Sequence, residues 1–263
     1  MGGEEEVVLV EYRGADLFLY YYKSDHAFSS SMTDPRARII TPEDAHIQWR
    51  ANSVNPQEVW PQRGTPPFTL AAVHYWRNKI DFDYVDIGAN VGMGVIALAV
   101  FFRRCGLNTK VYAFEPGPVY DLLLRSVRIN GVGDVVKCVR AAVAEHSGRA
   151  QFHVTPAQSP ASSLLSGATV RPGVVTSYTI DVDLITFDEF ARELRQAPGL
   201  LIKIDAEGVD FKVLDGMQRS LAERLVCFQI ELYPALTDAY TDAVARLLDL
   251  TREYVLILSL IHI

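Results

Sequence analysis

The stretch Asp83-Tyr-Val-Asp-Ile-Gly-Ala-Asn-Val-Gly-Met-Gly94 determines the fold expected for this chain. Its β-rich first half predicts a strand, its glycines predict a tight turn, and the apolar run 95–102 predicts a helix. Glycine allows the backbone to approach a ligand closely, and a helix start offers unpaired N–H groups. The order of strand, glycine turn and helix therefore predicts a site for a nucleotide-like ligand.

A carboxylate follows the next apolar segment. Residues 110–114 predict a second strand, and Glu115 comes directly after it, 21 residues beyond Gly94. A carboxylate at this position can accept hydrogen bonds from both hydroxyl groups of a ribose. The predicted ligand is therefore a cofactor that contains ribose.

Two such cofactors fit the layout. The pattern Gly92-Met-Gly-Val-Ile-Ala97 formally fits the nicotinamide dinucleotide motif, but it begins several residues after the strand instead of directly after it. S-adenosylmethionine sites use D-x-G-x-x-x-G, which Asp86, Gly88 and Gly92 supply, and the Asp86 charge suits a ligand with an ammonium and a sulfonium. The residues favour S-adenosylmethionine. A dinucleotide site and a tight turn that binds nothing are the alternatives.

The remaining core pattern indicates an α/β fold. Apolar strands alternate with helices from about residue 68, which predicts a mostly parallel sheet with helices on both faces. Ligands bind at the carboxyl ends of such strands. The predicted strands are 83–87, 110–114, 135–139, 200–205 and 225–231, and the helices between them are 92–104, 118–130 and 209–217.

Two segments lie outside this alternation. Residues 1–60 contain two strand patterns, 7–12 and 16–22, flanking a glycine turn, which predicts a β-hairpin appendage that acts as a lid or a packing element. The main domain is then 61–263. Residues 141–198 interrupt the core with a strand at 149–154, a polar loop, a strand at 176–182 and a helix at 187–195. This insertion predicts either a gate for the substrate or a flexible surface loop.

Composition excludes several classes of protein. A net charge of −7 and a pI near 5.4 argue against nucleic acid as a partner. The longest apolar runs are too short to span a bilayer, and the acidic start lacks the features of a signal peptide, so we expect a cytoplasmic protein. The acids, histidines and three separated cysteines show no metal-ligand spacing, so no metal is expected. The sequence does not indicate an oligomeric state.

Five motifs follow one another along the chain: Val85-Asp-Ile-Gly-Ala-Asn-Val-Gly92, Ala113-Phe-Glu-Pro116, Leu201-Ile-Lys-Ile-Asp-Ala-Glu-Gly208, Leu214-Asp-Gly216 and Ile230-Glu-Leu232. In this order they resemble the motifs of the FkbM-type S-adenosylmethionine-dependent methyltransferases. The similarity covers roughly residues 70–235. Ser162-Ser-Leu164 and Thr186-Phe-Asp-Glu189 also look like landmarks of that family.

The resemblance implies a Rossmann-like class I methyltransferase fold and methyl transfer to a hydroxyl group of a small-molecule or glycan acceptor. Such folds normally finish with a β-hairpin, whereas 254–263 is apolar and has no turn, so we expect a truncated end. The loop after the third strand, near Ala142, is expected to contact adenine. The cofactor-binding residues expected are Asp86, Gly88, Ala89, Asn90, Gly92, Glu115, Pro116 and Ala142.

Three carboxylates are candidates for the acceptor side of the site. Asp205 follows an apolar strand and is expected to bind the methionine ammonium, act as a base or cap the next helix. Glu207 is the preferred base, although a carboxylate in the first turn of a helix is an alternative. Glu231 resembles Asp205 in placement. Lys203 lies on the same side of its strand as Asp205 and needs a carboxylate partner there.

Overall fold

A computed structural model describes residues 7–12, 17–22, 37–39, 41, 72–73, 76–155, 161–165, 178–230 and 245. The strands are Val7–Tyr12 (β1), Leu17–Tyr22 (β2), Ala37–Ile39 (β3), Phe82–Ile87 (β4), Val111–Phe114 (β5), Val136–Val139 (β6), Ala142–Val143 (β7), Gly148–Val154 (β8), Tyr178–Ile185 (β9), Gly199–Ile204 (β10) and Leu225–Ile230 (β11). The helices are Met93–Arg104 (α1), Tyr120–Ile129 (α2), Phe187–Phe190 (α3), Asp210–Asp215 (α4) and Gln218–Glu223 (α5).

Five parallel strands form the central sheet in the order β11-β10-β4-β5-β6. Numbered by their order along the chain and read from β6 to β11, these five strands have the order 3-2-1-4-5, which is the doubly wound Rossmann order. The predicted α/β class is confirmed. Strand order reverses between β4 and β10, and ligands bind at the carboxyl ends of the strands that flank such a reversal. The fold therefore places a crevice beyond Ile87 and Ile204.

Both faces of the sheet are covered by hydrophobic cores. Because side chains alternate along a strand, Tyr84 packs with α1 on one face while Val85 packs with α3, α4 and α5 on the other. All six residues of β4 are buried. The two-sided burial explains why the core strands read as continuous apolar runs.

The described part of the N-terminal region forms a separate antiparallel sheet in the order β2-β1-β3. The hairpin predicted at 7–22 is present, and the short strand β3 was missed. The Asn130 side chain donates to the Phe18 carbonyl at 2.7 Å and accepts from the Phe18 N–H at 3.1 Å, which fixes β2 against the end of α2. β2 therefore packs against the end of α2, and a lid role for this sheet stays a prediction. The domain boundaries at 60 and 61 lie outside the described residues.

The insertion contains a small sheet in the order β7-β9-β8. The predicted helix 187–195 is shorter, because the chain turns away after a 3-10 turn at Ala191–Glu193 and Arg195 binds Asp81 and Asp83. The predicted helix 209–217 is also shorter. It ends at Gly216, where a Cβ atom would lie 2.1 Å from the Ala144 carbonyl oxygen, and α5 follows.

No helix in the described part of the chain is both long enough and apolar enough to cross a membrane.

Candidate functional site

A polar cleft lies at the carboxyl ends of β4, β5 and β10. Most of the predicted site residues contribute to its wall, and they are joined there by Phe152 and Ser162 from the insertion. The fold brings them together because these three strands are parallel neighbours. The predicted residues in the wall are Asp86, Gly88, Ala89, Asn90, Glu115, Asp205 and Glu207.

A second, more apolar cavity adjoins this cleft and shares part of its wall, including Gly88 and Glu115. Pro116 and Ala142, predicted to contact the cofactor, line this second cavity together with Leu164. A polar cleft continuous with an apolar recess suits a ligand with one charged end and one aromatic end.

The glycine turn after β4 is shaped by contacts within the protein. Gly88 has a φ of 85°, and a Cβ atom there would lie 1.9 Å from the Asp205 carbonyl oxygen. Gly92 has a φ of 88° and precedes α1, and its Cβ would lie 2.4 Å from Leu123. The space that a side chain would occupy at these two glycines is filled by the chain itself, while Gly88 also lines both cavities, so its contact with a cofactor stays a prediction. Gly92 lines neither cavity.

Glu115 lines both cavities. Its Oε2 accepts the Asn90 N–H at 2.9 Å and its Oε1 accepts the Gly117 N–H at 2.7 Å. Burial raises the pKa of Glu115 to about 7, although these two hydrogen bonds lower it. A carboxylate has about four acceptor positions, so two remain for other donors.

A buried ammonium group lies between two carboxylates on the floor of the cleft. Lys203 Nζ is 3.3 Å from Asp86 Oδ1 and 2.9 Å from Asp205 Oδ2, and the register of β4 and β10 pairs Lys203 directly with Asp86. Burial lowers the pKa of Lys203, but attraction to Asp205 and Asp86 outweighs burial and the net shift is upward. Lys203 therefore has the carboxylate partners that its apolar strand requires.

The turn after β10 carries Glu207 in a left-handed conformation with a φ of 49°. Asp210, the first residue of α4, accepts the Ala206 N–H at 2.8 Å and the Gly208 N–H at 3.1 Å. Ser163 of the insertion donates to the Glu207 carbonyl oxygen at 2.7 Å. The backbone on both sides of Glu207 is thus fixed by buried side chains, and Glu207 itself is buried at the cleft wall.

Sequence reasoning missed Asp210 and Phe152. Asp210 stands three residues beyond Glu207, where an acid at a helix start is common, so no sequence signal distinguished it. Burial raises its pKa to about 6, with a further contribution from Asp205, while the Ala206 and Gly208 amides oppose the shift. Phe152 lies in β8, which reaches the cleft only through tertiary packing.

Glu231, the third candidate base, lies outside the described residues. Within the described ranges, no group of three or more His, Cys, Asp or Glu side chains is arranged to hold a metal ion.

The family model described as methyltransferase FkbM domain matches residues 86–255. The chain belongs to the FkbM methyltransferase family. The match spans the turn after β4, the Glu115 motif and the turn that carries Glu207, so the family resemblance read from these motifs is confirmed. No curated protein matches the chain.

Two solved structures are similar to the chain. A methyltransferase FkbM from Methylobacillus flagellatus KT is 15% identical with a TM-score of 0.42, covering 79% of this chain and 46% of that chain. An rRNA methylase from Streptococcus thermophilus is 12% identical with a TM-score of 0.37, covering 71% of this chain and 80% of that chain. The present chain thus spans less than half the length of the Methylobacillus protein.

Proposed function

We propose that this FkbM-family protein is an S-adenosylmethionine-dependent O-methyltransferase whose acceptor is a hydroxyl group of a small molecule or glycan. The main supporting observation is the position of Glu115, which lines both the polar cleft and the apolar cavity beside it. A ribose links a charged end to an aromatic base in the cofactor, and a carboxylate with free acceptor positions suits that ribose.

The donor set fits the proposed cofactor at both ends. Asp86 and Asp205, which both pair with Lys203, bring two carboxylates to the cleft, and carboxylates suit a cationic ligand. The adjoining recess has apolar walls at Pro116 and Ala142 that suit an adenine ring.

When bound, S-adenosylmethionine would supply a methyl group on a sulfonium, which is a good leaving group. The protein then has to align the acceptor hydroxyl and remove its proton. Alignment can contribute about 7–11 kcal/mol in favourable cases. A positioned base typically adds about 10²–10⁴-fold.

We propose Glu207 as this base. Glu207 lines the cleft, and its backbone is fixed by Asp210 and Ser163. Such fixation keeps a catalytic group at its working distance. Asp205, which already pairs with Lys203, and Glu231 are the alternative bases.

Other functions make different predictions for ligand binding. A nicotinamide dinucleotide enzyme would bind NAD and not S-adenosylhomocysteine, and the family membership argues against it. A silent binding module would bind S-adenosylhomocysteine without turning over.

The test of the proposal is methyl transfer from S-adenosylmethionine to a panel of sugars and hydroxylated secondary metabolites, read by mass. A gain of one methyl group on oxygen supports it. Binding of S-adenosylhomocysteine with no turnover on a broad panel would favour the silent module.

A further inference from the structure

The carboxylate of Glu115 joins two loops that come from different parts of the sheet. Asn90 belongs to the turn after β4, and Gly117 belongs to the loop after β5. Both donate a backbone N–H to this one carboxylate, at 2.9 Å and 2.7 Å. Because the Glu115 residue is only 6% exposed, water competes little for these bonds.

The Asn90 side of this junction has an unfavourable backbone. Its φ of 51° lies in the left-handed region, which non-glycine residues adopt infrequently, although asparagine tolerates it best. The Asn90 Oδ1 atom accepts the Val91 N–H at 2.7 Å. The bond to Glu115 therefore ties a strained turn to the neighbouring loop.

The Gly117 side has no space for a side chain. A Cβ atom at Gly117 would lie 2.8 Å from Glu115 Oε1 and 3.2 Å from Phe152 Cε1. An alanine at this position would therefore displace the Glu115 carboxylate or the Phe152 ring and disturb the bond to the Gly117 N–H. Phe152 holds the opposite side and lines both cavities.

We infer that Glu115 is a positioning residue as well as the proposed ribose ligand, and that it holds the turn at Asn90 and the loop at Gly117 together before the cofactor enters. This inference rests on the proposed function. Loss of Glu115 would then have two effects. It would remove a contact to the ribose hydroxyls, and it would reduce the order of the two loops even without a ligand.

Calorimetry with S-adenosylhomocysteine and its 2′,3′-dideoxy analogue distinguishes these effects. Glu115→Gln keeps the size of the side chain but offers one acceptor atom, so one backbone N–H loses its partner. We expect this variant to bind the dideoxy analogue about 5- to 10-fold more weakly than the wild type does. Equal affinity of the two proteins for the analogue would overturn the inference and leave the ribose role intact.

Two glycine variants provide a matched comparison. Gly117→Ala keeps the carboxylate but displaces it, so we expect weaker binding of both ligands. Gly133→Ala is the control, because its Cβ would meet only Val127 at 4.0 Å and Gly133 lines neither cavity. If Gly117→Ala binds both ligands as tightly as Gly133→Ala does, the two loops do not depend on this junction and the inference fails.

Amide hydrogen exchange tests the same junction without any ligand. Relative to amides of β4, the Asn90 and Gly117 amides are expected to exchange faster in Glu115→Gln than in the wild type. Unchanged exchange would overturn the inference. If the wild type binds neither adenosyl ligand, the proposed function fails, and the exchange result still decides whether Glu115 holds the loops.

Discussion

On each side of the cleft a buried carboxylate accepts two backbone N–H groups, but the two carboxylates are placed differently. On the proposed cofactor side, Glu115 accepts two backbone N–H groups and also lines the cleft. On the proposed acceptor side, Asp210 accepts two backbone N–H groups but lines neither cavity, and Glu207, from the turn that Asp210 holds, lines the cleft. Glu115 thus both supports two loops and is the proposed ligand of the ribose. On the other side Asp210 supports the turn, and Glu207 is the proposed base.

Mutations of Glu115 and Asp210 can test this difference. Loss of Glu115 should impair cofactor binding, while loss of Asp210 should impair transfer and leave cofactor binding intact. If both losses changed only cofactor affinity, or only the transfer rate, the two sides would not differ in this way.

The largest effect is expected for Glu207→Gln. The variant preserves size, so the fold and the affinity for S-adenosylhomocysteine should be retained, while the single-turnover rate of methyl transfer should fall about 10²–10⁴-fold. The rate is measured with saturating cofactor and the acceptor found in the panel. A rate near that of the wild type would transfer the base role to Asp205 or Glu231, or show that no base is needed.

Gly88→Ala should cost about 3 kcal/mol in the free energy of unfolding, because its Cβ would lie 1.9 Å from a backbone oxygen in a left-handed conformation. Denaturant unfolding measures this loss, with Gly133→Ala as the control. A stability equal to that of the control would show that the turn after β4 moves freely away from Asp205.

Asp210→Asn should lower the transfer rate about 10- to 100-fold, because asparagine offers one acceptor atom to two amides and Glu207 loses its fixed position. Calorimetric affinity for S-adenosylhomocysteine should stay unchanged. Asp134→Asn is the control, since the Asp134 side chain forms an exposed pair with Arg103 and Asp134 lines neither cavity. Weakened cofactor binding in Asp210→Asn would contradict the separation of tasks on the acceptor side.

Cofactor affinity should depend on pH through Glu115. Its pKa of about 7 in the free protein means that the ionised form, which accepts hydroxyl donors, is lost on acidification. The affinity for S-adenosylhomocysteine should therefore be constant well above pH 7 and fall up to about tenfold per pH unit below it. Glu115→Gln should remove most of this dependence. An identical pH profile in that variant would assign the titration to another group.

Acidification should have opposite effects on cofactor affinity and on the contribution of Glu115 to the stability of the folded protein. The pKa of Glu115 in the folded protein lies above its ordinary value of 4.5. Its contribution to stability is therefore complete below pH 4.5 and is lost as the pH rises through about 7. Acidification from pH 7 to 5 should weaken binding at Glu115 while this residue stabilises the free protein.

The sequence predicts which carboxylates meet at the cleft better than it predicts which residues support them. Parallel strands place their carboxyl ends at one edge, so Asp86, Glu115 and Asp205 could be assigned to one cleft from strand order alone. Buried strands such as β4 have an apolar pattern that alternation with helices makes recognisable.

Other contacts depend on tertiary packing that one sequence does not reveal. Ser163 and Phe152 reach the site because the insertion folds back on the sheet. Position 88 requires glycine because a side chain there would meet the Asp205 carbonyl oxygen. The sequence motif alone does not distinguish this requirement from a contact with a ligand. The helix expected to run to Arg195 ends early because the Arg195 side chain is needed at Asp81 and Asp83.

Direct titration of the wild-type protein with S-adenosylhomocysteine and with NAD tests the central claim, which is that the cleft between β4 and β10 is an S-adenosylmethionine site. We expect S-adenosylhomocysteine to bind, and Glu115→Ala to weaken this binding by about 1.5–3 kcal/mol, since a charge-assisted contact is lost. Tight NAD binding without S-adenosylhomocysteine binding, or an affinity that a folded Glu115→Ala variant retains in full, would contradict it.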